Sequence, residues 1–133
     1  MNEEMAQIVR RSLERRLPAL RGAQFAAQKP VRGWLRAVRD AVKLSQDKVA
    51  KKLGTRRQSY ADMEAAEARG SITMNSLRRA AESMDCELVY FLIPREGVAL
   101  TYGELAQIHD PMTEIRRAVA HSMALEGQSV EPS

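Results

Sequence analysis

The sequence is short of the residues that build reaction centres and staple folds. One cysteine, Cys86, excludes an internal disulfide, and two histidines, His109 and His121, leave no paired metal-ligand spacing. Neither histidine has a cysteine nucleophile nearby, no glycine loop is arranged to cradle phosphate, and no repeat or low-complexity stretch occurs. No run approaches the roughly eighteen consecutive apolar residues of a membrane span. The opening MNEEMAQIVRRSLERR has acids and arginines where a signal peptide needs an apolar core. These absences argue against an enzyme, a metal, a cofactor and a membrane partner. They leave a reducing cytoplasm as the expected compartment, with Cys86 as a small buried residue.

What the chain does have is charge, unevenly spread. Its 133 residues suffice for one compact domain with helical appendages, and the formal net charge is +4. Residues 1–30 carry +3, 31–94 carry +4 and 95–133 carry −3. A basic part and an acidic tail of this kind suit different partners.

Apolar periodicity predicts a mainly α protein. Met5, Ile8, Val9, Leu13 and Leu17 mark an amphipathic helix over 2–17, with Arg10, Arg11, Arg15 and Arg16 as its solvated face. Pro18 is expected to end it and 18–30 to form a linker. From Pro30 the helices are shorter. Trp34, Leu35, Val38, Ala41 and Val42 form one stripe. Ser45 offers an N-cap to a second stripe, Val49, Ala50 and Leu53, which Gly54 stops. A third segment runs from Thr55 or Arg56 to about Glu67, and a fourth from Thr73 to Met84 with Met74, Leu77, Ala81 and Met84 inward.

Glu87 to Ile93 then reads as one short β-strand, rich in β-favouring residues and stopped by Pro94. A lone strand leaves its backbone groups unpaired. Leu88, Val89, Tyr90, Phe91, Leu92 and Ile93 would find partners in the same strand of a second copy, giving a two-fold homodimer. A buried helix turn followed by an extended linker remains the alternative. Thr101 and Glu104 have capping-box spacing for a short helix to about Ile108, and Asp110-Pro111 opens a last helix expected to close at Glu126.

The chemistry concentrates between Leu44 and Glu64, where a helix, a glycine-containing turn and a second helix follow one another. A helix fits the major groove of B-DNA, its N-terminal residues reaching base edges while the preceding helix lies across the backbone. Arg57, Gln58, Ser59 and Asp62 lie on or near one exposed face. Arginine can hold guanine bidentately, glutamine adenine, and an aspartate can accept from a cytosine amine. Gln46 opens the preceding helix, where its amide and backbone N–H groups can meet a phosphate. Lys48, Lys51, Lys52, Arg56 and Arg69 are further phosphate candidates.

Gln46, Ala50, Leu53-Gly54, the segment after them and Glu64 resemble a phage-repressor-type (Cro/C1, Xre) helix-turn-helix over about 31–84. The resemblance implies a five-helix-type core and a structural pair between Arg39 and Glu64. Two positions depart from the pattern: Arg56 stands where a capping Ser or Thr is common, and Tyr60 where an aliphatic residue is usual. They blur the base-reading register by about one residue.

GWLRAVRDAV, SITMNSLRRAAESMDCELVYFLIP and AHSMALEG together resemble the mobile mystery protein A family, repressor-like proteins typically encoded beside a Fic-domain protein. On the last helix Met112, Ile115, Val119, Ser122 and Glu126 share one face. A glutamate in a final helical turn faces the negative end of the dipole, so local helix physics does not ask for it. Ser122, Glu126 and Gly127 are similar to the class I Fic inhibitory motif, which is Ser or Thr, three residues, Glu, then Gly or Asn.

That resemblance implies an antitoxin. Fic enzymes transfer AMP from ATP to a hydroxyl, and Glu126 would pair with the arginine of their active-site loop and block the productive ATP pose. The whole reading has three parts: an N-terminal helix and linker (1–30), a helix-turn-helix domain ending in a dimerisation strand (31–94), and a C-terminal Fic-inhibitory helical region (95–133). The expected partners are operator DNA, a Fic toxin and a second copy. The alternative is a stand-alone regulator whose C-terminal helices dimerise or sense a ligand.

Overall fold

A computed structural model describes residues 1–130, with side chains at all of these except 113, 114 and 127–130. The helices are α1 (Glu3–Ala26), α2 (Trp34–Ala41), α3 (Gln46–Leu53), α4 (Arg57–Arg69), α5 (Met74–Ser83), α6 (Tyr102–Ile108) and α7 (Pro111–Val130). They fall into two compact units, Ala26–Tyr90 on the one hand, and Met1–Phe25 with the chain from Phe91 on the other.

The unit from Ala26 to Tyr90 holds α2 to α5, and α3 packs chiefly on α4 and α5. Its core is Leu35 of α2, Val49 and Ala50 of α3, Tyr60 of α4, Ala80 of α5 and Met84 just beyond. Val38, Leu44, Leu53, Met63, Ile72 and Leu77 surround it, half-buried. No fifth helix is present in this unit, because the chain after Met84 is irregular. Caps set most helix ends. The Ser45 hydroxyl accepts from Lys48 N at 3.1 Å, the Thr73 hydroxyl from Ser76 N at 3.1 Å, and Gly54 (φ 72°) closes α3 in the left-handed region. Cys86 is half-buried at the core margin rather than enclosed. Trp34, Val42 and Met74 remain about half exposed although the stripes place them inward.

The other unit departs from the sequence expectation at Pro18, which lies inside α1 rather than at its end. A proline there deprives the Glu14 carbonyl of its helical donor, at a cost of about 3 kcal/mol. Contacts on both sides of it offset that loss. Glu14 Oε1 accepts from Tyr102 N at 2.6 Å, Leu17 is buried, and the Arg21 guanidinium donates to the Leu100 carbonyl at 2.7 Å. The residues after Pro18 are also mostly good helix formers.

The expected strand at Glu87–Ile93 is absent: these residues form no regular element. A strand exists only with a partner, and no other segment among the described residues supplies one. The Leu92 carbonyl instead accepts from the Tyr102 hydroxyl at 2.7 Å. Val89, Tyr90 and Leu92 are exposed.

The capping box at Thr101 forms with a shift of one residue. The Thr101 hydroxyl accepts from Glu104 N at 3.1 Å, and the Glu104 carboxylate accepts from Leu100 N at 2.7 Å. Asp110 Oδ1 accepts from Met112 N at 3.0 Å at the start of α7. That helix runs to Val130, so Gly127 falls inside it and does not stop it at Glu126. One interior glycine costs a helix only about 1 kcal/mol.

Candidate nucleic-acid interface

The interface is built from α3, the turn Gly54-Thr55-Arg56 and the first turns of α4. Val49, Ala50 and Tyr60 are almost wholly buried, and they lock the two helices together from within. A buried ion pair then ties α4 to α2. Arg39 Nε donates to Glu64 Oε2 at 2.6 Å and Arg39 Nη2 to Glu64 Oε1 at 3.1 Å, a bidentate fork. Gln46 Nε2 donates to the same Oε1 at 3.1 Å, and Arg39 Nη1 to the Leu44 carbonyl at 3.2 Å. Glu64 thus reaches α2 and α3, and Arg39 ties the pair to the loop before α3. Burial alone would push its carboxyl up, but the interactions with the Arg39 guanidinium, the neighbouring Tyr60 hydroxyl and the Gln46 amide, together with the guanidinium charge, outweigh it and hold Glu64 below the usual carboxylate value. The same contact raises Arg39 further above its already high value, against its own desolvation.

Tyr60 lies beside this pair, and its hydroxyl is buried without a well-formed hydrogen bond. Burial first, then the neighbouring carboxylate, push its ionisation well above the ordinary tyrosine range. Sequence marks the position as unusual without revealing that the hydroxyl would lie buried beside Glu64.

Arg57, Gln58 and Ser59 occupy the first turn of α4, and Asp62 stands one turn beyond Gln58; all four are exposed. Gln58 Nε2 donates to Asp62 Oδ1 at 3.0 Å. Arg56 is the N-cap and makes no side-chain cap. Among the phosphate candidates, Lys48, Lys51, Lys52 and Arg56 are exposed on α3 and the turn, and Lys51 pairs with Asp47 at 3.3 Å. Arg69 is exposed too, but lies at the far end of α4, about 18 Å along the axis from Arg57. Gln46 is half-buried and directs its amide inward to Glu64.

One residue not singled out from the sequence is Glu67, 3% exposed on the opposite side of α4 from the solvent. Its carboxylate accepts from Trp34 N at 2.8 Å and from Leu35 N at 2.9 Å, capping α2 across the domain. Gly33, the local N-cap, has no side chain for the task. A glycine directly before an apolar stripe was the available signal.

Residues 35–91 match the family model described as helix-turn-helix. This segment is a helix-turn-helix domain. It is similar to the helix-turn-helix domains of Xre/Cro–C1-type DNA-binding regulators. No curated protein and no solved structure matches the chain. Within the helix-turn-helix domain, α3 and α4 are the paired helices, and α4 presents its N-terminal turn outward. Among the described residues no cluster of three or more His, Cys, Asp or Glu is placed to hold a metal ion, and no helix is long and apolar enough to cross a membrane.

Proposed function

We propose that this protein is the antitoxin of a Fic toxin–antitoxin pair: a dimeric repressor of its own operator whose C-terminal helix inhibits a Fic adenylyltransferase in the cytoplasm. The DNA half rests on the helix-turn-helix domain. Arg57, Gln58 and Ser59 form the base-reading end of α4, with Asp62 one turn behind them, and Lys48, Lys51 and Arg56 contact phosphates, with Gln46 offering its helix start. Within the apolar run Leu88 to Ile93, the four central residues Val89, Tyr90, Phe91 and Leu92 are exposed, which supports dimerisation. Side chains exposed to this degree have most apolar area to gain when a second copy covers them.

One observation carries the inhibitory half. On α7, Met112, Ile115 and Val119 are each more than half exposed, and Ser122 and Glu126 continue their spacing. An amphipathic helix with its apolar stripe uncovered suits a groove in a partner. The stripe delivers Ser122 and Glu126 at its distal end, where the glutamate meets the arginine of the partner's active-site loop. Gly127, whose surroundings lie outside the described side chains, allows close approach.

The test is co-expression with the neighbouring Fic protein, followed by an AMP-transfer assay. Glu126→Gly restores AMP transfer while operator binding stays at the wild-type level. Inhibition unchanged by this substitution removes the mechanism and leaves a regulator whose C-terminal helices serve association or ligand sensing.

A further inference from the structure

We propose that Asp62 does not read a base: it orients the amide of Gln58, so that Gln58 presents one hydrogen-bonding edge and selects adenine. The inference rests on the reading of α4 as the DNA-recognition helix and assigns a division of labour within it.

A side-chain amide has two orientations that fill nearly the same space but exchange donor for acceptor. In solvent a glutamine samples both. Here Gln58 Nε2 lies 3.0 Å from Asp62 Oδ1, and a carboxylate only accepts. The reversed amide would set Oε1 against that carboxylate, two acceptors facing each other. Asp62 therefore holds Nε2 towards itself and turns Oε1 away. One amide hydrogen is used by Asp62, and the other remains beside Oε1. A donor next to an acceptor is the edge that pairs with N7 and the N6 amine of adenine in the major groove.

Position argues the same way. Gln58 is the second residue of α4, whereas Asp62 lies a full turn deeper, about 6 Å along the axis. Base contacts in this kind of domain come from the N-terminal residues of the recognition helix. A carboxylate carried towards a phosphate-lined groove is repelled unless it has a task there. Asp62 has one in the amide it already holds.

The experiment is selection from a randomised duplex pool by the full-length protein, with the preference scored at every base pair. The proteins compared are wild type, Gln58→Ala, Asp62→Ala, Asp62→Glu and the Gln58→Ala/Asp62→Ala double variant. Wild type shows a preference for adenine at one base pair, which Gln58→Ala removes. Asp62→Ala weakens preference at that same base pair by about tenfold. Its binding to random-sequence duplex at fixed salt holds or rises, because a negative charge has left the interface. Asp62→Glu, which still offers an acceptor one turn away, retains the preference, and the double variant matches Gln58→Ala. A change at a different base pair that adds to the Gln58→Ala effect overturns the proposal, since Asp62 would then be reading its own base. So does an Asp62→Ala profile identical to wild type. If the wild-type protein enriches no sequence at all, the DNA-reading role of α4 itself falls, an outcome distinct from the previous two.

Discussion

A Cβ at Gly33 would stand 2.6 Å from Oε1 and 2.8 Å from Cδ of Glu67, so the carboxylate that caps α2 occupies the space a side chain would need. Gly33 also has φ 91°, a conformation costly to any other residue. The two facts have one cause. The backbone turns sharply at Gly33 to aim the Trp34 and Leu35 amides at a carboxylate that reaches them from α4.

Gly33→Ala is therefore expected to lower stability by about 2 kcal/mol, through backbone strain and displacement of the cap. Glu67→Gln, which keeps the shape and loses the charge, is expected to cost about 1 kcal/mol. Urea unfolding monitored by helix signal measures both. A Gly33→Ala protein unfolding at the wild-type midpoint would refute the capping geometry.

The Arg39–Glu64 pair makes stability depend on acid. Because the Glu64 carboxyl is held below its ordinary value in the folded protein, its contribution is fully present above about pH 4.3, the unperturbed glutamate range. It is lost as pH falls through the lower folded value. At neutral pH Glu64→Gln is expected to cost about 3 kcal/mol, since it leaves Arg39 buried without its anion. The gap between variant and wild type should close in acid, when the wild-type carboxyl is itself neutral. Urea midpoints at pH 7 and pH 3 provide the check, and a gap that stays constant would contradict it.

Tyr60→Phe removes a buried hydroxyl that lacks a well-formed partner. The ring's packing against the core is kept, and the desolvation of an unsatisfied oxygen is relieved, so the variant is expected to be unchanged or more stable by about 1 kcal/mol. Thermal unfolding will show it. A loss of stability would mean that the hydroxyl supports Glu64.

Arg57→Ala and Gln58→Ala should abolish sequence preference yet leave salt-sensitive nonspecific binding, because base contacts specify and phosphate contacts position. Lys48→Ala should weaken all sequences alike and lower the slope of log affinity against log salt by about one. Titrations over a salt series separate the two behaviours. Sequence preference that survives both base-reader substitutions would move the recognition segment elsewhere.

Several features were legible in the sequence because their causes are local. Ser45, Gly54, Thr73, Thr101 and Asp110 mark helix ends by chemistry that reaches three or four residues at most. The stripe in α3 and the exposed first turn of α4 follow from helical spacing alone. Pro18 misled for the opposite reason. A proline is a strong local breaker, and whether the break occurs depends on Glu14 and Arg21 finding Tyr102 and Leu100, some eighty residues away.

The sequence by itself determined where α2 to α5 begin and end within a few residues, and that α3 and α4 form a helix-turn-helix with donors at the open end. Periodicity and capping are short-range, and their energies do not wait for the rest of the chain. Only the tertiary structure decided that 87–93 is no strand in the single chain, that Tyr60 brings a hydroxyl without a well-formed partner into the core, and that Glu67 caps α2 from 32 residues away. A backbone ladder, a buried hydroxyl and a distant cap each depend on what lies opposite, and opposition in space is set by packing.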